Sequence, residues 1–284
     1  MSKKVSLVVI NYNDKVRVQR AIDSCLNQTW KDIEVILVDD GSTKEVRDLY
    51  LPYKDKIKLV QLERTSVTER NPGRARNRGA DVATGDYICF LDSDDYYDTK
   101  FVEELVKDDH PISFCDWEII GFQQVKIKIG SVWDMSKGVL DNYLAHNHLS
   151  HSCMMIKKDL FDLVGRYDER LPLQRSEDCD LIVRLCINGS SWHYVEKNLF
   201  FVEKHETDQM KTLASIYGKT LWTLKNGMSP NWMFGWLNQN PLFVFLFNKA
   251  ITDFLTDPIW EKDRVKYKEQ LDLLFKSLSA ELGE

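Results

Sequence analysis

The N-terminal third of the chain alternates between short apolar runs and segments whose apolar residues recur at helical spacing. The runs are predominantly apolar and contain many β-branched residues, as expected of strands that are covered on both faces of a sheet. They lie at Val5–Ile10, Val35–Val38, Ile57–Leu62 and Tyr87–Leu91. Between them, Val16 to Leu26 and Gly73 to Ala83 have the spacing of helices. This alternation predicts an α/β fold, a doubly wound and mostly parallel sheet flanked by helices.

Polar residues follow three of these predicted strands at the point where each strand ends. They are NYND at Asn11–Asp14, DDGS at Asp39–Ser42 and DSDD at Asp92–Asp95. In doubly wound sheets, ligands bind beyond the carboxyl ends of the strands. The sequence therefore predicts a ligand site at this edge.

The third of these segments is acidic and places Asp92 and Asp94 two residues apart in a loop. Carboxylate oxygens suit Mg²⁺ or Mn²⁺, and such an ion is commonly shared with a diphosphate. A solvated acidic loop is the alternative. A calcium-binding EF-hand is excluded because Tyr96 and Tyr97 stand where that loop needs an oxygen ligand and a glycine.

A basic cluster surrounds the turn Asn71–Gly73, at the start of the second predicted helix. Its members are Arg64, Arg70, Arg74, Arg76 and Arg78. A helix N-terminus also favours anions, so phosphate is the expected ligand. Nucleic acid would use the same arginines, but the acidic cluster downstream would repel a polyanion, which favours a small metal-bound diphosphate. A solvated helix face is the alternative.

Charge and apolar content narrow the class of protein further. The 44 acidic and 38 basic residues give a net charge of −6, which argues against a protein whose main function is to coat nucleic acid. The apolar runs are far shorter than the roughly 20 residues of a membrane span, and a signal-peptide core is not evident, so a cytoplasmic chain is expected. The six cysteines form no CxxC pair, which favours reduced, structural thiols over disulfides or zinc ligation.

Six motifs then occur in a fixed order along the chain. They are NYN at Asn11–Asn13, VDDGST at Val38–Thr43, PGRARNRGA at Pro72–Ala80, TGDYICFLDSDD at Thr84–Asp95, VGRYDERLP at Val164–Pro172 and SEDCDLIVRLCINGS at Ser176–Ser190. Over roughly residues 3 to 206, this ordered set resembles that of the family 2 glycosyltransferases of the GT-A fold. The resemblance implies a GT-A domain at 1–206, with a nucleotide-sugar half at 1–110 and an acceptor half at 111–206. A helical extension is expected at 207–284.

The resemblance also implies an activity, the inverting transfer of a sugar from a UDP-sugar to a hydroxyl of a glycan or glycoconjugate. It suggests that Tyr12 stacks on the uracil and that Asp40 accepts the uracil N3–H. Asp92 matches the position that contacts the ribose or the metal, and Asp94 matches the principal ligand of Mn²⁺ or Mg²⁺. The alternatives are that Tyr12 only caps the strand and that Asp40 only holds the turn.

Two basic side chains extend this implied site. Arg74 or Arg70 would reach the uracil or the diphosphate. His205 resembles a histidine that completes the metal site, although Glu203 stands where a basic residue is common. A surface or core histidine is the alternative.

The implied catalytic base is Asp178, the second acid of Glu177-Asp178. An inverting displacement needs a carboxylate to take the proton of the acceptor hydroxyl. Ser176 is a plausible N-cap, which puts Asp178 in a first helical turn where the dipole favours the ionised form. The alternative is that both acids only complement that dipole.

Parts of the chain lie outside these motifs. His146, His148 and His151 are expected to be acceptor contacts or ordinary loop residues, not a zinc site. The aromatic-rich region after 207 is expected to pack as helices, with an acceptor groove, a homo-oligomer contact or a peripheral membrane surface as alternatives.

The expected role is the synthesis of a bacterial surface polysaccharide or a protein glycan. Two rival functions remain. A GT-A-like nucleotidyltransferase should have a Gly-rich loop where this chain has NYND. A catalytically silent glycan-binding or scaffold protein would tolerate loss of the acids.

Overall fold

The computed structural model describes residues 3–63, 71–121, 124–146, 148–170, 177–204, 220, 250 and 252–266. The chain divides into two compact units. The first comprises Met1–Glu169 and Asp180–Glu206, and the second comprises Arg170–Cys179 and Thr207–Glu284. The functional division predicted from the sequence, at 1–110, 111–206 and 207–284, stays a prediction.

The first unit is built on a nine-stranded sheet. Its strands are β1 (Val5–Asn11), β2 (Ile33–Asp39), β3 (Lys58–Gln61), β4 (Tyr87–Asp92), β5 (Tyr96–Tyr97), β6 (Ile112–Gly121), β7 (Val125–Ile127), β8 (Met154–Lys157) and β9 (Trp192–Lys204). The order across the sheet is β3-β2-β1-β4-β8-β6-β9-β5, and β7 pairs with β6. The predicted α/β fold with a mostly parallel, Rossmann-like sheet of the GT-A type is confirmed.

The four strands β3, β2, β1 and β4 are parallel and are named the parallel half. Apart from Ser6, the interiors of β1 and β4 and the centre of β2 are apolar and buried, as the runs predict. The expectation that β3 is covered on both faces is wrong, because Lys58, Leu59 and Gln61 are exposed. In the register, Asn11 faces Asp39 on β2, and Ile10 faces Asp92 on β4. The three polar loops therefore begin side by side at one edge of the sheet.

The remaining strands form the mixed half. β8 is antiparallel to both β4 and β6, β9 is parallel to β6, and β5 and β7 add antiparallel pairs. The register of β6 against β9 is irregular on both sides of Asp116. Asp116 is buried there and accepts hydrogen bonds from Ile129 N and from the Tyr194 hydroxyl, each at 2.7 Å.

Eight helices are described around the sheet. They are α1 (Val18–Leu26), α2 (Lys44–Asp48), α3 (Pro72–Val82), α4 (Phe101–Val106), α5 (Ile129–Val132), α6 (Val139–His146), α7 (Lys158–Leu163) and α8 (Glu177–Ile187). α1 buries Val18, Ala21, Ile22 and Cys25, but Val16 lies before the helix and is exposed. The inclusion of Val16 in the apolar face was therefore wrong, because Asp14 accepts from Arg17 N at 2.9 Å and the helix begins only after that turn.

Helix α3 lies very close to the parallel half. A Cβ added to Gly79 would be 2.3 Å from Val8 Cγ1 and 3.0 Å from Val38 Cγ2. Only a glycine allows the helix this distance from β1 and β2. The arginine-rich N-terminus of α3 is consequently brought to the carboxyl edge of the sheet.

Five of the six cysteines are buried and the sixth, Cys186, is partly buried. Burial raises the pKa of the Cys25 and Cys153 thiols to about 12. These thiols are packing groups and are protonated at neutral pH.

In the second unit, residues 252–256 are helical, followed by a 3₁₀ turn at Pro258–Trp260 and a helix at Glu261–Lys266. Phe254 and Trp260 are fully buried, with ring centroids 5.7 Å apart. The Arg170 guanidinium lies 4.4 Å from the Trp260 ring centroid. The described part of the C-terminal extension is thus helical, as predicted. None of the helices in the described residues is long and apolar enough to span a membrane.

Candidate active site

The loop after β1 is fastened to the loop after β2. Asn11 Nδ2 donates to the Tyr50 hydroxyl at 2.7 Å. Asn13 adopts a left-handed φ of 56°, its N–H donates to Ser42 Oγ at 3.0 Å, and its Oδ1 accepts from Thr43 N at 2.9 Å. Tyr12, between these two asparagines, is half-buried. It stands in a loop that is anchored on both of its sides.

The two neighbouring acids after β2 have different environments. Asp39 is fully buried and accepts from Arg47 Nε at 2.8 Å and from the Tyr50 hydroxyl at 3.0 Å. It therefore stabilises the loop. Asp40 instead has a carboxylate oxygen 3.5 Å from Arg74 Nη2. The structure thus brings together two residues that the resemblance links to the nucleotide.

The N-terminus of α3 is fixed by its cap and by the VGRYDERLP segment. Asn71 Oδ1 accepts from Arg74 N at 3.0 Å. The Asn77 amide donates to Tyr167 O at 2.9 Å and accepts from Tyr167 N at 3.1 Å. A Cβ on Gly73 would be 3.2 Å from Tyr167 Cβ, so this contact is also close. Two motifs about ninety residues apart in the chain therefore form one surface.

Arg76 has a role that sequence reasoning missed. Its side chain is buried, its Nη2 donates to Asp92 Oδ1 at 2.7 Å, and its guanidinium carbon is 5.3 Å from the Tyr167 ring centroid. Residues two apart on a helix point in different directions, which separates Arg76 from Arg74. The two-residue spacing was the sequence signal that could have distinguished the role of Arg76 from that of Arg74. Arg64 and Arg70 lie outside the described residues.

The acidic loop brings three carboxylates together. Ligand oxygens of Asp92, Asp94 and Asp95 all lie within 4.8 Å of one another. Within the described part of the chain, no other His, Cys, Asp or Glu residues form a convergent set of three. Asp95 is buried, and this burial, followed by the charges of Asp94 and Asp92, raises its pKa well above the usual range. Hard, mutually repelling oxygen donors are a fitting set for Mg²⁺ or Mn²⁺.

The end of β9 meets this acidic loop. Glu203 N donates to Asp95 Oδ1 at 3.1 Å, and the Glu203 carboxylate pairs with Arg20. Arg20 Nη2 also donates to Asp94 O at 3.1 Å. His205, the expected metal ligand, lies outside the described residues, directly after Lys204 in the sequence.

Asp178 occupies the second position of α8 and is half-buried, with its Oδ1 accepting from Cys179 N at 2.8 Å. It is therefore in a first helical turn, as expected, although Ser176 lies outside the described residues. Its function as a base stays a prediction. His148 and His151 belong to no convergent ligand set among the described residues, and the His146 side chain lies outside the described part of the structure.

The same helix contains a third acid, Asp180, whose role sequence reasoning missed. Asp180 is fully buried and accepts from Arg184 Nη2 at 2.6 Å. Arg184 also donates to Val164 O at 2.5 Å and to Arg166 O at 2.6 Å. Arg184, held by Asp180 within the helix, thereby connects α8 to the loop that precedes Tyr167. In the sequence, Asp180 is one of three acids in the motif at the start of α8, and nothing there distinguishes it from the other two.

Comparison with known proteins identifies the family. Residues 6–163, more than half of the chain, match the family model described as glycosyl transferase family 2. The chain belongs to this family.

Two relatives and one solved structure illustrate the range of similarity. An uncharacterised glycosyltransferase of Haemophilus influenzae is 39% identical over 123 residues, 40% of this chain and 49% of that protein. The Escherichia coli UDP-Glc:alpha-D-GlcNAc-diphosphoundecaprenol beta-1,3-glucosyltransferase WfaP is 34% identical over 102 residues, 36% of this chain and 39% of that protein. The matched regions thus span about half of these relatives or less.

The solved structure is that of S. aureus TarS residues 1–349 in complex with UDP-GlcNAc. It superposes with a TM-score of 0.66 at 17% sequence identity, covering 99% of this chain and 92% of that one. This likeness concerns the fold.

Proposed function

We propose that this protein is a metal-dependent, inverting glycosyltransferase that transfers a sugar from a UDP-sugar to a hydroxyl of a glycan or glycoconjugate. The observation that carries the proposal is the convergence of Asp92, Asp94 and Asp95 at the carboxyl edge of the parallel half. Asp40, which pairs with Arg74 on α3, follows strand β2 at the same edge. A metal-bound nucleoside diphosphate needs both kinds of group.

The donor nucleotide would be held at the β1 and β2 loops. Tyr12 stacks on the uracil, Asp40 accepts the uracil N3–H, and Arg74 reaches the uracil or the diphosphate. Asp92 accepts a ribose hydroxyl or contacts the metal. A uridine nucleotide is supported by the name of WfaP, which includes UDP-Glc, and by the UDP-GlcNAc in the TarS complex.

The metal would be Mn²⁺ or Mg²⁺, held by Asp94 and His205 with Asp92 and Asp95 close by. When bound, such an ion offsets the charge that develops on the departing diphosphate. The donor set fits a hard cation because its described members are all carboxylates.

Asp178 is the proposed catalytic base. It takes the proton of the acceptor hydroxyl as that oxygen attacks the anomeric carbon opposite the diphosphate, which inverts the configuration. Its place in the first turn of α8 supports this role, because a helix N-terminus favours the ionised carboxylate.

The acceptor is proposed to belong to a bacterial surface polysaccharide or a protein glycan, as the diphosphoundecaprenol-linked acceptor in the name of WfaP suggests. A cytoplasmic location, with peripheral membrane or homo-oligomer contact through the C-terminal region, stays a prediction. Within the described residues, no observation favours a nucleotidyltransferase or a silent glycan-binding protein.

The first experiment screens donor hydrolysis of UDP-glucose, UDP-galactose and their N-acetyl forms with and without Mn²⁺, because hydrolysis requires no acceptor. We expect turnover of at least one donor that depends on the metal. Absence of both hydrolysis and metal-dependent UDP binding would refute the proposal.

Variants then separate the two carboxylate functions. Asp178→Asn is expected to abolish transfer while UDP affinity stays nearly intact. Normal turnover of this variant would show that Asp178 is not the base.

Asp94→Ala is expected to weaken UDP binding in the presence of Mn²⁺. Unchanged affinity would show that Asp94 is not a metal ligand. Asp55→Asn, at an exposed position outside the site, is the matched control.

A further inference from the structure

Arg20, on α1, contacts the acidic loop, the adjoining Tyr96 and strand β9. Its Nη2 donates to the main-chain carbonyl of Asp94 at 3.1 Å. The same nitrogen pairs with the Glu203 carboxylate on β9. Its guanidinium carbon lies 4.4 Å from the centroid of the Tyr96 ring. None of the six sequence motifs includes Arg20.

The segments that Arg20 joins also contact one another. Glu203 N donates to Asp95 Oδ1 at 3.1 Å. The Tyr96 ring stacks on Phe201 with a centroid distance of 4.8 Å and an interplanar angle of 13°. The acidic loop and the last residues of β9 are therefore held together by a backbone contact, a ring contact and the Arg20 ion pair.

The geometry of Arg20 suits orientation of the loop. Its hydrogen bond to Asp94 goes to the carbonyl oxygen, so it orients the backbone without occupying a carboxylate oxygen. A guanidinium can meet a carbonyl, a carboxylate and a ring at once because it is planar and has several donors. A lysine ammonium is a point charge on a flexible chain and holds such an arrangement less well.

We propose that Arg20, through its pair with Glu203, is a positioning residue that sets the affinity of the acidic loop for the divalent cation and its bound diphosphate. It fixes the backbone of Asp94 relative to the end of β9. This inference rests on the proposed function, because it assigns Arg20 a role in the same metal site.

Charge and position make opposite predictions for the loss of Arg20. Removing a cation beside several carboxylates should tighten Mn²⁺ binding if Arg20 acts through its charge alone. If Arg20 orients the loop, its removal should weaken Mn²⁺ binding despite the lost repulsion. The sign of the change therefore identifies the role.

The experiment measures two quantities in the full chain, the Mn²⁺ concentration for half-maximal hydrolysis of the preferred UDP-sugar and the UDP affinity with and without Mn²⁺. For Arg20→Gln, we expect the half-maximal Mn²⁺ concentration to rise about tenfold and UDP affinity in Mn²⁺ to fall about tenfold, which corresponds to an ordinary coupling between neighbouring groups. UDP affinity without metal should change less than about twofold. Arg20→Lys should show a smaller loss.

Glu203→Gln removes the other charge of the Arg20–Glu203 ion pair. It should weaken Mn²⁺ activation as Arg20→Gln does, and the double variant should be no worse than the worse single variant, because both remove one ion pair. Lys197→Gln is the matched control, since Lys197 lies on the same strand and pairs with Glu104 at 2.6 Å. It should leave both quantities unchanged.

Unchanged or tighter Mn²⁺ binding in folded Arg20→Gln would overturn the positioning role, and additive losses in the double variant would do so as well. These results leave the proposed function intact, because the wild-type protein still shows metal-dependent UDP binding. A wild-type protein without that binding would instead overturn the proposed function and this inference together.

Discussion

In the parallel half of the sheet the strand centres are apolar and the acids Glu34 and Asp39 lie near the two ends of β2, whereas the mixed half buries acidic side chains at the centre of a strand. Leu7, Val8, Ile36 and Leu37 are fully buried in the first half. In the second half, Asp116 and Glu118 on β6 are each at most 5% exposed and accept hydrogen bonds from neighbouring elements. The mixed half therefore combines apolar packing with buried hydrogen bonds, whereas the strand centres of the parallel half are packed by apolar contacts.

The difference shows what each half should tolerate. Close apolar packing makes the strand centres of the parallel half sensitive to added volume. Buried acceptors make the mixed half sensitive to the loss of a hydrogen-bonding partner, because the donor left behind stays desolvated. Three substitutions, one in each of three different environments, test this contrast.

Gly79→Val should be the most destabilising change. Its side chain would enter the space of Val8 Cγ1, which is only 2.3 Å from the position that a Cβ on residue 79 would take, so helix α3 must move away from the sheet. We expect a loss of about 3 kcal/mol of unfolding free energy, at the upper end for overpacking. Chemical denaturation measures it.

Two companions make the volume argument specific. Val8→Ala in the same chain should recover part of the loss. Gly138→Ala should be nearly neutral, because the atom nearest to its added Cβ is 3.8 Å away. An equal loss in both glycine variants would contradict the role assigned to volume.

Asp116→Ala, in the mixed half, should lower the free energy of unfolding by about 2 kcal/mol. It removes the acceptor of Ile129 N and of the Tyr194 hydroxyl, both at 2.7 Å. Thermal and chemical denaturation of the variant, compared with Asp116→Asn, provide the measurement, since the amide retains one acceptor oxygen.

The double variant Asp116→Ala/Tyr194→Phe tests whether the Tyr194 hydroxyl, left without its acceptor, causes the loss of stability. It should be less destabilised than the sum of the two single variants. Strict additivity would mean that the two groups do not act through their hydrogen bond.

Glu34, at the margin of the parallel half, should give the smallest effect, and one that depends on pH. Burial alone would raise its pKa, but hydrogen bonds from Lys58, Ser6 and Thr84 lower it to about 2. The carboxylate therefore stabilises the folded state above the unfolded pKa of about 4.3, and this contribution is lost as pH falls from there towards 2.

The comparison is between the wild type and Glu34→Gln at pH 7 and pH 3. The wild-type advantage should be on the order of 1 kcal/mol at pH 7, reduced because the paired lysines are partly solvated, and smaller at pH 3. Asp55→Asn reports the effect of losing one surface charge. An advantage that is the same at both pH values would contradict the prediction.

Prediction from the sequence succeeded best in the parallel half. A strand covered on both faces is mostly apolar, so β1, β2 and β4 are visible as apolar runs, although β2 begins two residues before the predicted run. The boundaries of β3 were missed by one residue at each end, and its predicted burial was wrong. β6 includes buried acids and an irregular register, and its pattern is correspondingly less regular.

At the site, sequence reasoning located the loops but not the partners. The positions of Tyr12, Asp40, Asp92 and Asp94 follow from the strand ends, because parallel strands bring their carboxyl ends to one edge. The burial of Arg76 against Asp92 was not predicted. Whether the Arg76 side chain binds a phosphate or pairs with Asp92 depends on which face of α3 meets the sheet, and the sequence does not give that face.

The sequence by itself determined the alternation of strands and helices in the N-terminal third, the α/β class and the edge at which polar groups gather, because hydrophobic periodicity is a local property and such alternation is typical of parallel strands. Only the tertiary structure decided that Asp39 stabilises a loop while Asp40 faces Arg74, and that Arg20 meets Glu203. The last two lie 183 residues apart in the chain. Such contacts depend on how the elements pack, which no local pattern contains.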